Sequence, residues 1–415
     1  MGAMAAPIVL RGRVVLPSAV LDDGVVVVVG DRLAFVGTVA DAGPAGFGDL
    51  VASVPVSPAV LLPGLVDVHN HGGGGASFPD AVTPEEVMTG VLEHRRHGTT
   101  TMLASLVTAS REVLLERAAL LAGLADAGEI AGIHAEGPFL SHERRGAHNP
   151  ADLVPGDVEL VRDLAAAARG HLRTMTVAPE VPGVSGPDGV ASALVAAGAI
   201  PSIGHTDGTT AAAEALIDQV AGELRAAAES GGPVLGMTAT HLFNGMRPLH
   251  HRAPGPIPAC LAAAAQGDLT VELIGDGVHL DPALVRTMFE TLGADHVVLV
   301  TDAMAAAGMA DGAYDLGPMS VTVRDGVARV TDPGHPEGGA IAGGTAHLVD
   351  VVRAAVDAGV PLADAVRAAS LVPARVLGLS AEVGSLEAGL RADVLVTDTG
   401  LRPVRVLRAG AEVDG

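Results

Sequence analysis

PGLVDVHNHG, residues 63–72, is the stretch from which the fold can be worked out. A proline and a glycine precede a short aliphatic run, which is typical of a buried parallel strand. The run ends in His69 and His71, and residues i and i+2 of a strand face the same side. Both imidazoles therefore point the same way, as two ligands of one divalent metal would. Two histidines with this spacing and no further ligands more often have a structural role, so a metal site is indicated only if other parts of the chain supply ligands.

Aliphatic runs alternate with Ala-rich segments across residues 63–380. This alternation favours βα units and a parallel sheet. Helices are predicted, for example, at residues 85–97, 112–125, 282–292 and 345–358. Eight strands can be counted, and they lead up to His69, Leu106, Glu136, Glu180, His205, His241, Asp276 and Asp302. Eight such units predict an α/β fold, the (β/α)8 TIM barrel, with its active site at the C-terminal ends of the strands.

The two ends of the chain have a different sequence pattern. Residues 1–62 and 381–415 contain short β-type runs broken by Gly, Asp and Pro, without a helical period. Because an isolated N-terminal β layer would be marginally stable, we predict that both ends pair into one small β-sandwich domain beside the barrel of residues 63–380. A hairpin is also predicted at residues 319–330, between the eighth strand and its helix.

Composition excludes several classes of partner. The 415 residues are 49% hydrophobic but only 2% aromatic, so the core must be aliphatic, and the formal charge is −23. Such an acidic chain is unsuited to nucleic acid or an anionic membrane, and an anionic substrate needs a local basic pocket. Cys260 is the single cysteine. No secretory pattern or membrane-length apolar run is present, so a cytoplasmic location is expected.

Metal-ligand side chains recur where later strands end. Six of them, from five strand ends, are expected to converge on one pocket: His69, His71, Glu136, His205, His241 and Asp302. A carboxylate with two imidazoles and one open position is typical of a catalytic metal site. These ligands accept Zn, Fe, Mn or Co.

The segments PGLVDVHNHG, HAEGPF, APE, GHT, THLFNGM and LVTDA resemble the amidohydrolase superfamily, and specifically its N-acetylglucosamine-6-phosphate deacetylase branch. The resemblance runs through nearly the whole chain. It implies one or two divalent metals per subunit, with zinc the expected ion. Glu136, His205 and His241 would hold the principal metal. His69 and His71, with Glu136 bridging and Asp302 nearby, would hold a second.

The same resemblance implies the catalytic groups. Asp302 matches the family's general base and acid, which takes a proton from water and returns it to the departing amine. His148, in a loop after the HAEGP motif, matches the residue that stabilises the oxyanion.

Substrate binding is also implied by the resemblance. Asn244, Gly245 and Arg252 match the family's phosphate contacts. His279 matches a residue that reaches the phosphate of the neighbouring subunit, which implies a homodimer; a structural reading, in which His279 only caps the loop before the next helix, stays open. Arg247 has no motif support and is predicted to lie on the surface.

The implied reaction is hydrolysis of N-acetyl-D-glucosamine 6-phosphate to D-glucosamine 6-phosphate and acetate. One alternative is another amide substrate, such as N-acetylgalactosamine 6-phosphate or a cyclic amide. A second alternative is a catalytically silent barrel used in assembly. Glu180 is expected inside the mouth as support, residues 143–145 as a solvated stretch, residues 72–75 as a flexible turn, and residues 342–344 replace the family's usual Ser-Gly-Ser.

Overall fold

The computed structural model describes residues 6–231, 235–332 and 338–414. Eight parallel strands pair in chain order. A parallel bridge between Asn70 and Ala303 joins the last strand end to the first, and the Asp302 amide donates to the His69 carbonyl at 3.0 Å. The predicted barrel is thereby confirmed. Its strands are Leu65–Asp67, Thr99–Leu106, Gly132–Glu136, Leu172–Val177, Ile200–Ile203, Met237–Ala239, Leu269–Leu273 and Val297–Leu299.

Helices follow the strands, as the alternation predicts. The first barrel helix begins after Thr83, whose hydroxyl accepts from the Glu86 amide in a capping box, and proline occupies its first position. Along the described parts of the chain, no helix combines the length and apolar character needed to cross a membrane. The helices are Val39–Ala42, Gly48–Ala52, Pro84–Arg96, Arg111–Asp126, Val158–Ala167, Val190–Ala196, Thr210–Glu229, Ile257–Gln266, Pro282–Leu292, Leu348–Asp357, Leu362–Ala368 and Leu371–Val376.

Both ends of the chain pair into one seven-stranded sheet. The strand Val60–Pro63 lies between an N-terminal and a C-terminal strand and pairs with both. The Leu33 amide of the edge strand Arg32–Thr38 also donates to the carbonyl of Leu390, which precedes the strand Val394–Thr397, at 2.9 Å. A common apolar layer is enclosed, as the prediction of a small sandwich requires. The strands are Ile8–Val15, Val20–Val29, Arg32–Thr38, Val60–Pro63, Val394–Thr397, Pro403–Arg408 and Ala411–Glu412.

The hairpin predicted at residues 319–330 is confirmed and forms part of a three-stranded antiparallel insert. Asp325 and Gly326 both have positive φ, 50° and 74°, as a two-residue type I′ turn requires. Its apolar face packs on Val107 and Met304 at the mouth of the barrel. The insert strands are Gly312–Leu316, Met319–Arg324 and Val327–Val330. Residues 72–75 form the first strand and the turn of a second small hairpin, in which Gly72–Gly73 pairs with Ala76–Ser77.

Candidate metal centre and active site

Three residues at the ends of barrel strands have left-handed backbone conformations. φ is 46° at His205, 29° at His241 and 47° at Asp302. A non-glycine residue in this region costs about 1–3 kcal/mol, and such residues cluster at functional sites. The backbone strain therefore lies at positions where the chain directs a polar side chain into the barrel mouth.

The carboxylate of Glu136 lies at the centre of a ring of imidazoles. Its Oε1 is 2.9 Å from Nε2 of His205 and 2.9 Å from Nε2 of His241. Its Oε2 is 3.1 Å from Nε2 of His71 and 3.6 Å from Nε2 of His69. All these residues are buried. One carboxylate thus faces histidines from the first, fifth and sixth barrel strands.

Asp302 completes a second group of donors with His69, His71 and Glu136. Its Oδ1 lies 3.2 Å from Nε2 of His69 and 3.3 Å from Nε2 of His71. The two Nε2 atoms are only 3.0 Å apart. The five predicted ligands and the predicted base Asp302 therefore lie together in two overlapping groups that share Glu136: His69, His71, Glu136 and Asp302, and Glu136, His205 and His241.

Hydrogen bonds on the far side of two rings indicate that a cation belongs between these groups. Nδ1 of His205 lies 2.7 Å from the Arg144 carbonyl, which only accepts. Nδ1 of His69 lies 3.2 Å from the Glu272 carboxylate. In their neutral form, both rings therefore carry their proton on Nδ1 and turn an Nε2 lone pair towards carboxylate oxygens. Without a cation between them, the Nε2 lone pairs and the carboxylate oxygens would repel each other. The same tautomers occur in metal-bound histidine, so the residues fit a divalent metal.

The ionisation of the two carboxyl groups suits the same role. Burial alone would raise the pKa of Glu136, but the charge of His69 and contacts with His148 and His205 outweigh it and hold the pKa well below its ordinary value. Burial is likewise outweighed at Asp302, where His69 and His71 lower the pKa. Both groups are carboxylates at neutral pH.

His148 lies beside the metal ligands in a defined tautomer. Its Nδ1 accepts a long hydrogen bond from the Thr108 amide at 3.4 Å, so a neutral ring carries its proton on Nε2. Burial lowers the pKa of His148 to about 4, although Glu136 opposes the shift. The ring is therefore neutral at pH 7, and its Nε2 lies 3.5 Å from Oε2 of Glu136. A donor at this position can serve an oxygen of a ligand bound near the metal.

A cavity of about 230 Å³ opens above the ligands. Asn244 and Gly245, two of the predicted phosphate contacts, lie in its wall. A Cβ at position 245 would come within 2.7 Å of Nδ1 of His205, so the close approach requires glycine. Arg252 is exposed and lies outside the lining. The lining residues are His71, Val107, Glu136, Gly146, Ala147, His148, His205, His241, Asn244, Gly245, His279, Asp302, Leu316, Ala340, Ile341 and Gly343.

His279 lies in the cavity of its own chain. Nδ1 of His279 is held at 2.8 Å by the Asp276 carboxylate three residues before it. The expectation that His279 serves the neighbouring subunit's site stays a prediction. Burial alone would lower the pKa of His279, but Asp276 more than offsets this and raises it. The raised pKa favours the protonated ring at the cavity wall, and the homodimer stays a prediction.

An ion-pair network missing from the sequence analysis holds the loops around His205. Asp207 accepts from Arg144 at 2.7 Å and from Arg247 on its other oxygen. The hydrogen bond from Arg247 is the largest of the effects that lower the pKa of Asp207 to about 2. Arg144 was predicted to be solvated and Arg247 to lie on the surface. Both are partly exposed, and through Asp207 they join the loop after the third strand to the loop after the sixth. The sequence feature that could have indicated this network is Asp207, which directly follows the GHT segment.

Glu180 also differs from its predicted position. It is exposed and does not line the cavity. Its carboxylate accepts from the Thr206 hydroxyl at 2.5 Å and from the Asp207 amide at 2.6 Å. Strand four ends at Val177, so Glu180 lies beyond the mouth, where it supports the end of the fifth strand.

Residues 342–344 lie against the strand that carries Asp302. The Gly344 amide donates to the Asp302 carbonyl at 2.6 Å. At Gly343 φ is 89°, and a Cβ there would lie 2.8 Å from the same carbonyl. The loop positions the backbone of Asp302, and its side chains supply no hydroxyl to the cavity.

Glu272 is a site residue that the sequence analysis missed. It is a buried charged residue inside the aliphatic strand Leu269–Leu273, which was the available signal. It holds the His69 ring and also accepts from the His241 amide at 3.3 Å. We expect Glu272→Gln to weaken metal binding about 10- to 100-fold, because the partner of a metal-binding histidine sets its orientation and basicity.

The Glu272 prediction is checked by measuring bound metal against increasing chelator concentration. Glu290→Gln, at an exposed position of helix Pro282–Leu292, is the matched control. Equal chelator sensitivity of Glu272→Gln and the unaltered protein would contradict the assigned role.

Comparisons with known proteins agree with this geometry. Residues 60–413 match the model of the amidohydrolase family. N-acetylglucosamine-6-phosphate deacetylase from Bacillus subtilis is 32% identical over 85% of this chain and 84% of its own length. N-acetylgalactosamine-6-phosphate deacetylase from Escherichia coli O157:H7 is also 32% identical, over 85% of this chain and 88% of its own.

A solved structure extends the similarity to the whole fold. A variant of N-acetyl-D-glucosamine-6-phosphate deacetylase from Mycobacterium smegmatis, in complex with N-acetyl-D-glucosamine-6-phosphate, is 38% identical. The match covers 99% of this chain and 100% of that chain, with a TM-score of 0.84. The chain therefore belongs to the amidohydrolase family, in the group that contains the N-acetylglucosamine-6-phosphate deacetylases.

Proposed function

We propose that the protein hydrolyses N-acetyl-D-glucosamine 6-phosphate to D-glucosamine 6-phosphate and acetate. The observation that carries the proposal is the cavity in which six metal-ligand side chains and His148 converge. Full-length similarity to a deacetylase solved with this sugar phosphate supports it. The convergence also argues against a silent assembly barrel, for which no such set of ligands is needed.

The proposed chemistry assigns a task to each group. Glu136, His205 and His241 would hold one divalent metal, and His69 and His71 with Glu136 would hold a second. A bound metal lowers the pKa of water and polarises a carbonyl oxygen. Asp302 takes a proton from the attacking water and delivers it to the amine nitrogen as the C–N bond breaks and the new C–O bond remains in acetate. His148 donates from Nε2 to the carbonyl oxygen as negative charge develops there. We propose zinc as the metal, because histidine and carboxylate ligands suit it.

Binding of the phosphate is assigned to Asn244, Gly245, His279 and Arg252. The first three lie in the cavity wall. The raised pKa of His279 favours an anion there. Arg252 stands outside the lining, so we propose that it reaches the phosphate at the rim through its long side chain.

Replacement of Arg252 by methionine tests the phosphate role. We expect KM for the sugar phosphate to rise about 10- to 150-fold, since a hydrogen bond to a charged group contributes about 1.5–3 kcal/mol. kcat should change little, because the phosphate is remote from the amide. Steady-state kinetics give both constants, with Arg225→Met, at an exposed helix position, as control. An unchanged KM would remove Arg252 from the proposed site.

The substrate itself is tested by acetate release from three compounds. N-acetylglucosamine 6-phosphate, its galacto epimer and the unphosphorylated sugar are compared at equal concentration with zinc-loaded protein. The proposal expects turnover of the first to exceed that of the other two. The Escherichia coli relative makes the galacto epimer the second candidate, and faster turnover of that epimer would select it. No release from any of the three would refute deacetylation of hexosamine phosphates.

Three further expectations, on oligomeric state, cellular location and domain division, are proposals. We propose a homodimer, a cytoplasmic location, and a division into a barrel of residues 63–380 and a small domain of residues 1–62 and 381–415. A sedimentation mass of one chain, rather than two, would refute the dimer.

A further inference from the structure

Three apolar side chains lie in the lining of the catalytic cavity. Among the described residues that line it, Val107, Leu316 and Ile341 are the only aliphatic ones larger than alanine. Val107 directly follows the second barrel strand, and Leu316 ends the first strand of the three-stranded insert. Both are buried in one apolar cluster with Met304. The cavity therefore has an apolar wall in a lining that is otherwise polar, glycine or alanine.

This wall lies across the cavity from the groups assigned to the phosphate. Asn244 and Gly245 follow the sixth barrel strand, and His279 follows the seventh. In a closed barrel of eight strands, the second strand stands opposite the sixth. His148 and Asp302, which are assigned to the amide, follow the third and the eighth strand. The reacting amide therefore lies between the phosphate groups and the wall.

A hydrogen bond places the wall beside the carbonyl end of that amide. Nδ1 of His148 accepts from the amide of Thr108, the residue after Val107, at 3.4 Å. Nε2 of the same ring is the proposed donor to the carbonyl oxygen. The amide nitrogen carries the sugar, so the methyl group of the acetyl points away from the sugar and its phosphate. With the phosphate at the opposite side of the cavity, this methyl group faces Val107.

The wall is a thin partition between two cavities. Beyond it lies a second cavity of about 340 Å³, lined by Leu114 and Pro318 among others. Val107 is the only described residue that lines both cavities, while Leu316 lines the catalytic one and Gly317 the second. Removal of atoms from the Val107 side chain would therefore join the acyl end of the catalytic cavity to free space.

We propose that Val107, backed by Leu316, limits the acyl group of the substrate to acetyl, an inference that rests on the proposed deacetylation. A longer acyl chain would have to occupy the volume of the Val107 side chain. That side chain is held in place by the insert, because a Cβ at position 317 would lie only 2.7 Å from its Cγ2. Val107 determines specificity by contact with the acyl group and takes no part in proton transfer.

The acyl preference of Val107→Ala tests the proposal. Release of glucosamine 6-phosphate from its N-acetyl and N-propionyl derivatives is measured with zinc-loaded protein. One extra methylene in a hydrophobic pocket changes kcat/KM by about 10- to 200-fold, so we expect Val107→Ala to raise the propionyl-to-acetyl ratio of kcat/KM at least about tenfold. An unchanged ratio would overturn the role of Val107 alone. No turnover of either compound by the unaltered protein would refute the proposed function and this inference with it.

Two further variants separate the shape of the wall from a general loosening of the insert. Val107→Thr keeps the branched shape, and Val323→Ala removes the same atoms from a buried residue of the same cluster that lines neither cavity. We expect both to keep the ratio of the unaltered protein. Because one preparation turns over both compounds, the ratio is independent of the fraction that is folded and metal-loaded. An equal rise of the ratio in Val323→Ala would overturn the proposal.

Discussion

Replacement of Asp302 by asparagine is expected to lower kcat about 10²- to 10⁴-fold, the range attributed to general acid–base catalysis. Asparagine keeps the shape of the side chain but neither takes a proton from water nor delivers one to the amine. Because His69, His71 and Glu136 remain in one donor group and Glu136, His205 and His241 in the other, zinc content should stay near that of the unaltered protein. Acetate release and zinc content are measured on the same preparations.

The pH dependence of turnover gives a further expectation for Asp302. The pKa of Asp302 lies below its ordinary value of 3.8, since contacts with His69 and His71 outweigh burial. The base is therefore ionised throughout the neutral range, and its own acid limb should fall below about pH 4. An exposed surface aspartate, Asp295, provides the control variant Asp295→Asn. Full turnover by Asp302→Asn would exclude Asp302 as the base.

Replacement of Glu136 by glutamine is expected to remove most of the bound metal and to lower turnover by more than about 10³-fold, because metal activation of water is lost. Glu136 is the only described residue shared by the two donor groups in the cavity. Glutamine fills the same volume but presents its neutral amide to imidazole nitrogens 2.9 Å away. Zinc analysis and acetate release give the two readouts.

Glu180→Gln is the matched control for Glu136→Gln. Glu180 contacts the residue after His205 but lies outside the cavity, so its variant should retain metal and most activity. If Glu136→Gln kept its full zinc content, Glu136 would not be the bridging ligand.

Much of the architecture was predictable because it depends on local patterns. Aliphatic runs punctuated by polar residues located the eight strands, and the Asp325–Gly326 turn located the insert hairpin. The six predicted ligands stand at strand ends, and closing a parallel barrel brings all strand ends to one face. Their convergence on one pocket was therefore predictable from their positions at strand ends, and the family resemblance implied the shared role of Glu136.

Other features depend on contacts that no local pattern encodes. Glu272 reaches His69 across 203 positions of sequence, and Asp207 pairs with an arginine 63 positions away. Such pairs are decided by which strands become neighbours when the barrel closes and by the paths of the loops above them. The sequence analysis therefore did not predict that Arg144 and Arg247 pair with Asp207.

The sequence by itself determined the βα order, the pairing of both chain ends and the identity of the ligand side chains. It could do so because periodicity and residue type act over a few positions. Only the tertiary structure decided that His279 lines the cavity of its own chain and that Arg252 is exposed outside the lining. Each of these depends on the direction in which a helix end or loop leaves the barrel, and that direction is set by packing against elements distant in the chain.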